Sequence, residues 1–471
     1  MIHNPELKRY LWQEMTPQRV MGVPVVLGLI LLIIFQSHEL EEYRAAWIVT
    51  FWCAFWGFAL ITGVMGARMA GTAVLNDIRD GTWDWRRTSS ISPWSLAWGK
   101  LIGAPIFTWY VGVLLLMVMV TAHTRLEDSG GLGQGLFVGA WLLLVALLTH
   151  GGVLLVQIIS TSESDASTTK GQSKSLFLLS LISVPLYFAS FPLEKVKTNL
   201  LDVVWYGMVV DHATFLIGSA LVMLGWMLLG LKRVFQSELQ VRVTPWAWVG
   251  FLIYLYLYMA GFVPVEADAD RLHHLLLILI LSYVATMCMT LLLLLSENLN
   301  LITYRRLIGH YRNRRWRRLT ALLPTWGVTL LMVTVLLGLI LLLHPWVSGS
   351  MMELFGQALN LKAGKIMHPG VQWLLTAAFM FLLRDVAMVL FFHFGANPTR
   401  AGARAIIYMM MVYGLLPALF GAAQIGEGAL LLFYPVADSS SSAPIALLLA
   451  LCQALIAWKV LTGRVRRRLA V

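Results

Sequence analysis

Charge is scarce in this 471-residue chain: 13% of its residues are Asp, Glu, Lys or Arg, while 59% are hydrophobic. A water-soluble domain carries about 25% charged residues. The deficit argues against an ordinary soluble enzyme. With repeated apolar runs of about 20 residues, it points to a polytopic membrane protein. No stretch is long and polar enough to make a separate soluble domain. Cysteine is nearly missing too. Cys53, Cys288 and Cys452 each fall inside an apolar run without CxxC spacing. That argues against a disulfide framework or thiolate metal site and reads them as small core-packing residues. A cleavable leader is not expected either, because the first apolar run is long and lacks a small-residue cleavage site.

Two chemistries have no motif. His150, His273, His274 and His393 are scattered, with no HExxH and no acidic cluster, so they read as packing residues rather than metal ligands. No metal site and no catalytic residue is expected. A phosphate-cradling loop needs Gly-x4-Gly-Lys-Ser/Thr. The nearest approach, "GWMLLGLK" at 225–232, has leucine where that lysine belongs, and Gly99-Lys100 lacks the earlier glycine.

What the chain does have is twelve apolar spans, near 20–36, 46–66, 94–122, 132–160, 175–192, 213–231, 246–263, 273–296, 324–343, 371–394, 405–423 and 443–458. The fold class is therefore all-α and polytopic. Placing both termini in the cytoplasm puts 26 of the 35 Lys and Arg residues on the inner side and 7 on the outer, a strong positive-inside signal. The net charge of +11 is then topology and contact with anionic membrane lipid, not a nucleic-acid footprint. "YRNRRWRR" at 311–318 follows a span directly and reads as membrane surface or partner contact. One span carries two charges, Arg384 and Asp385, with Arg384 roughly 15 Å deep. Neighbours on a helix point about 100° apart, so the two need not pair. Structural and functional roles both stay open for them.

The polar connection at 232–245 divides the spans into two sets of six, residues 1–235 and 246–471. Each set has a long inner loop after its second span (67–93 and 297–323) and a long outer loop before its sixth (193–212 and 424–442). That shared layout hints at tandem repetition. "LLDVVWYGMVVDHATF" (200–215) reads as a short helix dipping into the outer interface, and "GALLLFYPVADSSSS" (428–442) as a second apolar piece too short to cross. Before the first span, Asn4 and Pro5 open an amphipathic helix whose apolar stripe includes Leu7, Leu11, Trp12 and Met15. It is expected to lie on the inner membrane surface.

The densest polar segment is "NDIRDGTWDWRRTSSISPW" (76–94). Asp77 and Asp80 bracket a turn before Gly81, which permits a backbone kink. Thr82 follows, then Trp83 and Trp85 alternate with Asp84, Arg86 and Arg87. Ser92 caps the next helix with Pro93 at its first position. Rigid aromatics beside charges suit a docking knob for a protein partner.

Gly81-Thr82-Trp83-Asp84, Ser92-Pro93-Trp94 and Gly99-Lys100-Leu101 together resemble the membrane subunits of ABC-2-type exporters, the type-2 ABC permeases. Asp77 stands four before the glycine, where that family often has an acid. Arg79 and Ser90 depart from its usual acid and proline. The resemblance covers about residues 1–235; for 246–471 it rests on layout. It implies two six-helix halves and a coupling helix within 76–91 that fits a separate ATPase subunit. The second loop would be its counterpart, with Leu301, Tyr304, Ile308 and Tyr311 on one stripe and Arg305 and Trp316 nearby, though without the Gly-Thr motif. It further implies that no cofactor binds this chain, that ATP-Mg sits on two copies of the ATPase, and that the protein is a permease rather than an enzyme, in a plasma or bacterial inner membrane. Twelve spans can form a pseudo-dimeric membrane domain alone, or pair with a like or unlike permease chain. A twelve-span, ion-coupled secondary transporter is the alternative, with "GTWDWRR" loosely matching a loop of that class and Asp385 its nearly solitary buried carboxylate.

Overall fold

The computed structural model describes residues 4–38, 43–89, 91–126, 131–161, 203–239, 241, 243–263, 271–296, 301–343, 371–395, 401–423, 427–434 and 442–469. Among these, ten helices are long and apolar enough to cross a membrane. The chain is a mainly helical, multi-pass membrane protein. An eleventh expected span is the shorter apolar helix Trp246–Ala260, and the expected span 175–192 lies outside the described residues. The chain forms two compact units. One comprises residues 1–203 and 209–243, the other residues 204–208 and 244–471.

The first unit starts with α1 (Pro5–Glu14). The Asn4 side chain accepts from the backbone N–H of Glu6 and Leu7, and Pro5 supplies a preset φ. Next come α2 (Pro17–Gln36) and α3 (Tyr43–Arg79). At about 1.5 Å per residue, α3 is ~55 Å long, well beyond a ~30 Å hydrocarbon layer. Its polar C-terminal end therefore projects out of the bilayer. A π-helical stretch, Phe58–Gly66, interrupts α3. There the Thr62 hydroxyl donates to the Thr108 carbonyl at 3.0 Å, and His150 Nε2 lies 2.7 Å from the Thr62 carbonyl.

Two short helices follow, α4 (Trp83–Thr88) and α5 (Pro93–Trp98), then a π-helical turn at Gly99–Gly103 and α6 (Ile106–Thr124). The single span expected at 94–122 is thus divided. Pro105 brings no N–H, and its ring clashes with a preceding turn, so the straight membrane helix begins after it. The unit is completed by α7 (Gly131–Thr161) and α8 (His212–Glu238), the latter capped by Asp211. Phe51, Phe55 and Phe58 of α3 pack with Leu115 and Met119 of α6 and Leu142 of α7.

The expected helical dip at 200–215 is a β-hairpin instead, β1 (Val203–Trp205) paired with β2 (Met208–Val210). Tyr206 and Gly207 both have positive φ, 51° and 73°, which is the requirement of a tight hairpin turn between valine-rich arms. Its tip belongs to the second unit. There Trp205 Nε1 donates to the Tyr258 carbonyl at 3.1 Å, and the Tyr206 N–H to Gly261 at 2.7 Å.

The second unit contains α9 (Trp246–Ala260), α10 (Arg271–Ser296), α11 (Leu301–Arg312), α12 (Trp316–Leu322), α13 (Thr325–Leu343) and α14 (Val371–His393). α15 (Ala401–Met410), a π-helical stretch (Met411–Leu415) and α16 (Leu416–Ala422) follow in line. A 3-10 turn at Glu427–Leu432 leads towards α17 (Ser442–Leu469). Ala377 on α14 and Ala450 on α17 are fully buried around Phe381, the small-residue contact that lets membrane helices approach closely. Cys53, Cys288 and Cys452 are exposed at helix surfaces, not buried as expected. An apolar run in a membrane helix has a lipid-facing side as well as a packed one, so apolarity alone does not place a residue inside.

Candidate functional site

The end of α3, α4 and the turn before α6 surround a buried cluster of charge in the first unit. Lys100, fully buried, pairs with Asp77 and also donates to the Ala73 carbonyl and the Tyr10 hydroxyl, each at 3.1 Å. Arg86 pairs with Glu6 and, at 3.2 Å, with Asp77. Arg9 adds contacts at 3.4 Å to Glu6 and 3.8 Å to Asp77. Two carboxylates thus face three cations drawn from four chain segments. Burial, reinforced by the Asp77 carboxylate, pushes the Tyr10 phenol well above its ordinary pKa, so it remains a neutral hydrogen-bonding group.

The backbone makes this cluster accessible to α1. A Cβ at Gly99 would collide with the Glu6 side chain, and one at Gly103 would lie 3.0 Å from Tyr10 and 3.4 Å from Leu7. Glycine at both places brings α1 against the π-helical turn. Asn4 secures the same contact: its amide donates to the Ser95 carbonyl at 2.8 Å and accepts from the Ser95 hydroxyl at 2.7 Å. Ser92 in turn caps α5 through the Ser95 N–H.

α4 is fixed from two sides. Trp83 is buried in an apolar cluster with Val74, Leu96, Leu154, Leu231 and Phe235. Arg86, three residues on, enters the ionic cluster from the next turn. Gly81, at φ 67°, ends α3 in the left-handed conformation that suits glycine. The Thr82 N–H and hydroxyl both donate to the Asp77 carbonyl, at 2.9 and 3.2 Å. The sequence suggests a docking knob of aromatics beside charges; in the structure these residues fall on two sides. Asp77, Trp83 and Arg86 point inward, whereas Asp80, Gly81, Asp84 and Trp85 lie on the outer edge, Trp85 with 72% of its surface exposed. Inward placement follows from chemistry: Asp77 and Arg86 find counter-ions from α1 and Lys100, and Trp83 finds an apolar floor.

Glu6, Arg9 and Tyr10 belong to the site although no motif marks them. One signal was present: Glu6 and Arg9 stand at i,i+3 on a helix otherwise read for its apolar stripe. That stripe is split. Leu7 faces Gly103, while Leu11 and Trp12 are exposed.

In the second unit, the other loop residues separate in a similar way. Tyr304 accepts from Trp326 Nε1 at 3.0 Å and packs edge-on against Phe394. Arg305, Ile308, Tyr311 and Trp316 are exposed. Arg384 and Asp385 form a further polar centre. The sequence leaves open whether the two adjacent side chains pair; here Arg384 Nε lies 2.9 Å from Asp385 Oδ1. Both side chains bend towards one set of hydroxyls. Tyr408 donates to Asp385 at 3.0 Å, and Tyr413 also donates to it. Arg384 donates to Gln453 at 2.6 Å and to Tyr413 at 2.9 Å, with Phe381 beneath its guanidinium. Gln453 continues the chain to the Leu432 carbonyl at 3.0 Å. These bonds join α14, the π-helical stretch after α15, the 3-10 turn and α17. Among the described residues, no group of three or more His, Cys, Asp or Glu residues could hold a metal ion.

This geometry defines a class, a multi-pass helical membrane protein with a charge-clamped polar segment in one unit and an intramembrane ion pair in the other. No protein-family model matches the chain, and neither a curated protein nor a solved structure does.

Proposed function

We propose that this chain is the membrane permease subunit of an exporter powered by a separate ATPase, with α4 as the helix on which that ATPase docks. The observation that carries the proposal is the way α4 is held. Trp83 and Arg86 anchor it to an apolar floor and a buried ion cluster, while Asp80 and Trp85 face outward. A pushed surface transmits motion only if its base does not yield. Here α4 is tied through Asp77 to α3 and through Lys100 to the turn that begins α6. Movement of a docked ATPase would therefore turn both spans together, and ATP would act by its different affinity for the motor's two states. Positive-inside counting puts α4 on the cytoplasmic side, where ATP is, in a plasma or bacterial inner membrane. In this reading residues 1–235 and 246–471 are the two six-helix halves, the motor supplies the ATP-Mg sites, and an apolar path carries the substrate.

Purification from native membranes should recover a P-loop ATPase with the wild-type chain. Trp85→Ala should lose it while keeping the same elution profile and melting temperature. If Trp85→Ala retains both the ATPase and transport, α4 is not the docking element.

The ion-coupled alternative draws support from one observation, the buried Asp385 carboxylate with its two tyrosine donors. It requires uptake or efflux in vesicles driven by a proton gradient without ATP, and loss of that transport in Asp385→Asn.

A further inference from the structure

α11 and α12 lie between two spans, leaving α10 and entering α13 through Pro324, so both ends are tethered at the membrane. The segment has a composition unlike the first unit's. Arginine occurs seven times between 305 and 318, and no Asp or Glu occurs from 298 to 352. The folded chain adds more positive charge from a distance. Arg305 Nη2 donates to the Arg468 carbonyl at 3.2 Å, which brings the exposed arginines 466–468 at the end of α17 beside α11. Arg464 stays apart from that run, donating to the Phe391 carbonyl and stacked 3.9 Å from its ring.

Apolar groups on α11 and α12 are exposed as well. Ile308 and Tyr311, one turn apart, are each 63% exposed. Trp316 joins Tyr311 edge-on, with ring centres 6.1 Å apart. Arg314, at φ 52°, turns the chain between the two helices and brings those rings together. Aromatic and aliphatic side chains interleaved with arginine are suited to the boundary between headgroups and acyl chains.

We propose that α11, α12 and the end of α17 form a binding surface for anionic phospholipid headgroups. Arg312, Arg314, Arg315 and the 466–468 run hold the phosphates, while Ile308, Tyr311 and Trp316 insert beneath them. An acidic protein face would satisfy the arginines equally. It would not account for membrane tethers at both ends of a surface that also exposes isoleucine and tryptophan. The proposal stands apart from the ATPase reading, and it assigns to lipid a loop whose layout alone would pair it with α4.

The test uses the full-length protein in nanodiscs, with Cys53, Cys288 and Cys452 replaced by alanine and a bimane fluorophore on Ile308→Cys. Asn313→Cys serves as a second reporter that leaves Ile308 in place. The discs contain brominated phosphatidylcholine, alone or with increasing brominated phosphatidylglycerol. Quenching should rise with phosphatidylglycerol and fall at high salt, since surface charge is screened within ~3 Å at 1 M. Each neutralised arginine in Arg314→Gln, Arg315→Gln, Arg466→Gln and Arg467→Gln should weaken the apparent lipid affinity about fivefold. Equal quenching in both lipids, insensitive to salt, would overturn the proposal, as would no quenching at either reporter. So would shielding of the reporters only when a cytoplasmic protein fraction is added, which would mark the surface as a protein interface.

Discussion

The polar segment after α3 and the segment between α10 and α13 handle charge in opposite ways. In the first, acids and bases are mixed, and folding turns them inward. Asp77 and Arg86 meet Glu6, Arg9 and Lys100, while Arg79, Asp80, Asp84 and Trp85 lie outside. In the second, the seven arginines of 305–318 have no acid from 298 to 352, and most of them stay on the surface with Ile308, Tyr311 and Trp316. A balanced segment can close on itself and become a rigid base. An unbalanced one must find its counter-charge elsewhere, in lipid phosphate or a partner.

This contrast is most severely tested at Lys100. Lys100→Ala takes from the buried Asp77 its nearest partner and leaves it Arg86 at 3.2 Å and Arg9 at 3.8 Å; losing a buried hydrogen bond between charged groups costs about 1.5–3 kcal/mol. The expected result is a lower melting temperature and rapid proteolysis of α1 in detergent. A wild-type melt and an intact N-terminus would show that the cluster does not hold the first unit together. Next comes Gly81→Val, which forces a β-branched residue into a left-handed position at about 1–2 kcal/mol. Trypsin cleavage at Arg79 should accelerate in that variant, and unchanged cleavage would remove the strain argument.

In the second unit, Tyr413→Phe removes one donor to Asp385 and one acceptor for Arg384. Membrane hydrogen bonds average about 0.6 kcal/mol, with a maximum of about 1.7. A modest loss in melting temperature is expected, smaller than that of Lys100→Ala; an equal loss would erase the distinction between the two centres. The smallest effects on stability are expected for Trp85→Ala and Arg314→Gln, each within about 0.5 kcal/mol for an exposed side chain. Their consequences should appear in binding instead, ATPase recovery for Trp85 and lipid preference for Arg314. If either one lowers the melting temperature as Lys100→Ala does, its segment is structural rather than a contact surface.

The membrane class was legible at once, because apolar runs of about 20 residues separated by short polar links have few other foldings. Local rules also located particular features. Asn4-Pro5 starts α1, Ser92-Pro93 starts α5, and Gly81 ends α3. At Tyr206-Gly207 the sequence suggests a helical dip and the structure has a hairpin, since an apolar valine-rich stretch has no period that separates a short strand from a short helix. The break at Pro105 was lost inside a long hydrophobic run.

For the candidate site, composition alone marks the 76–94 segment as chemically exceptional and puts Lys100, Arg384 and Asp385 inside apolar runs. Their partners come from the fold. Glu6 is 80 residues from Arg86, Asp77 is 23 from Lys100, and Arg305 is 163 from Arg468. A buried charge must be compensated, but its local sequence does not say by which residue. That choice was made where Gly99 and Gly103 let α1 reach the end of α3.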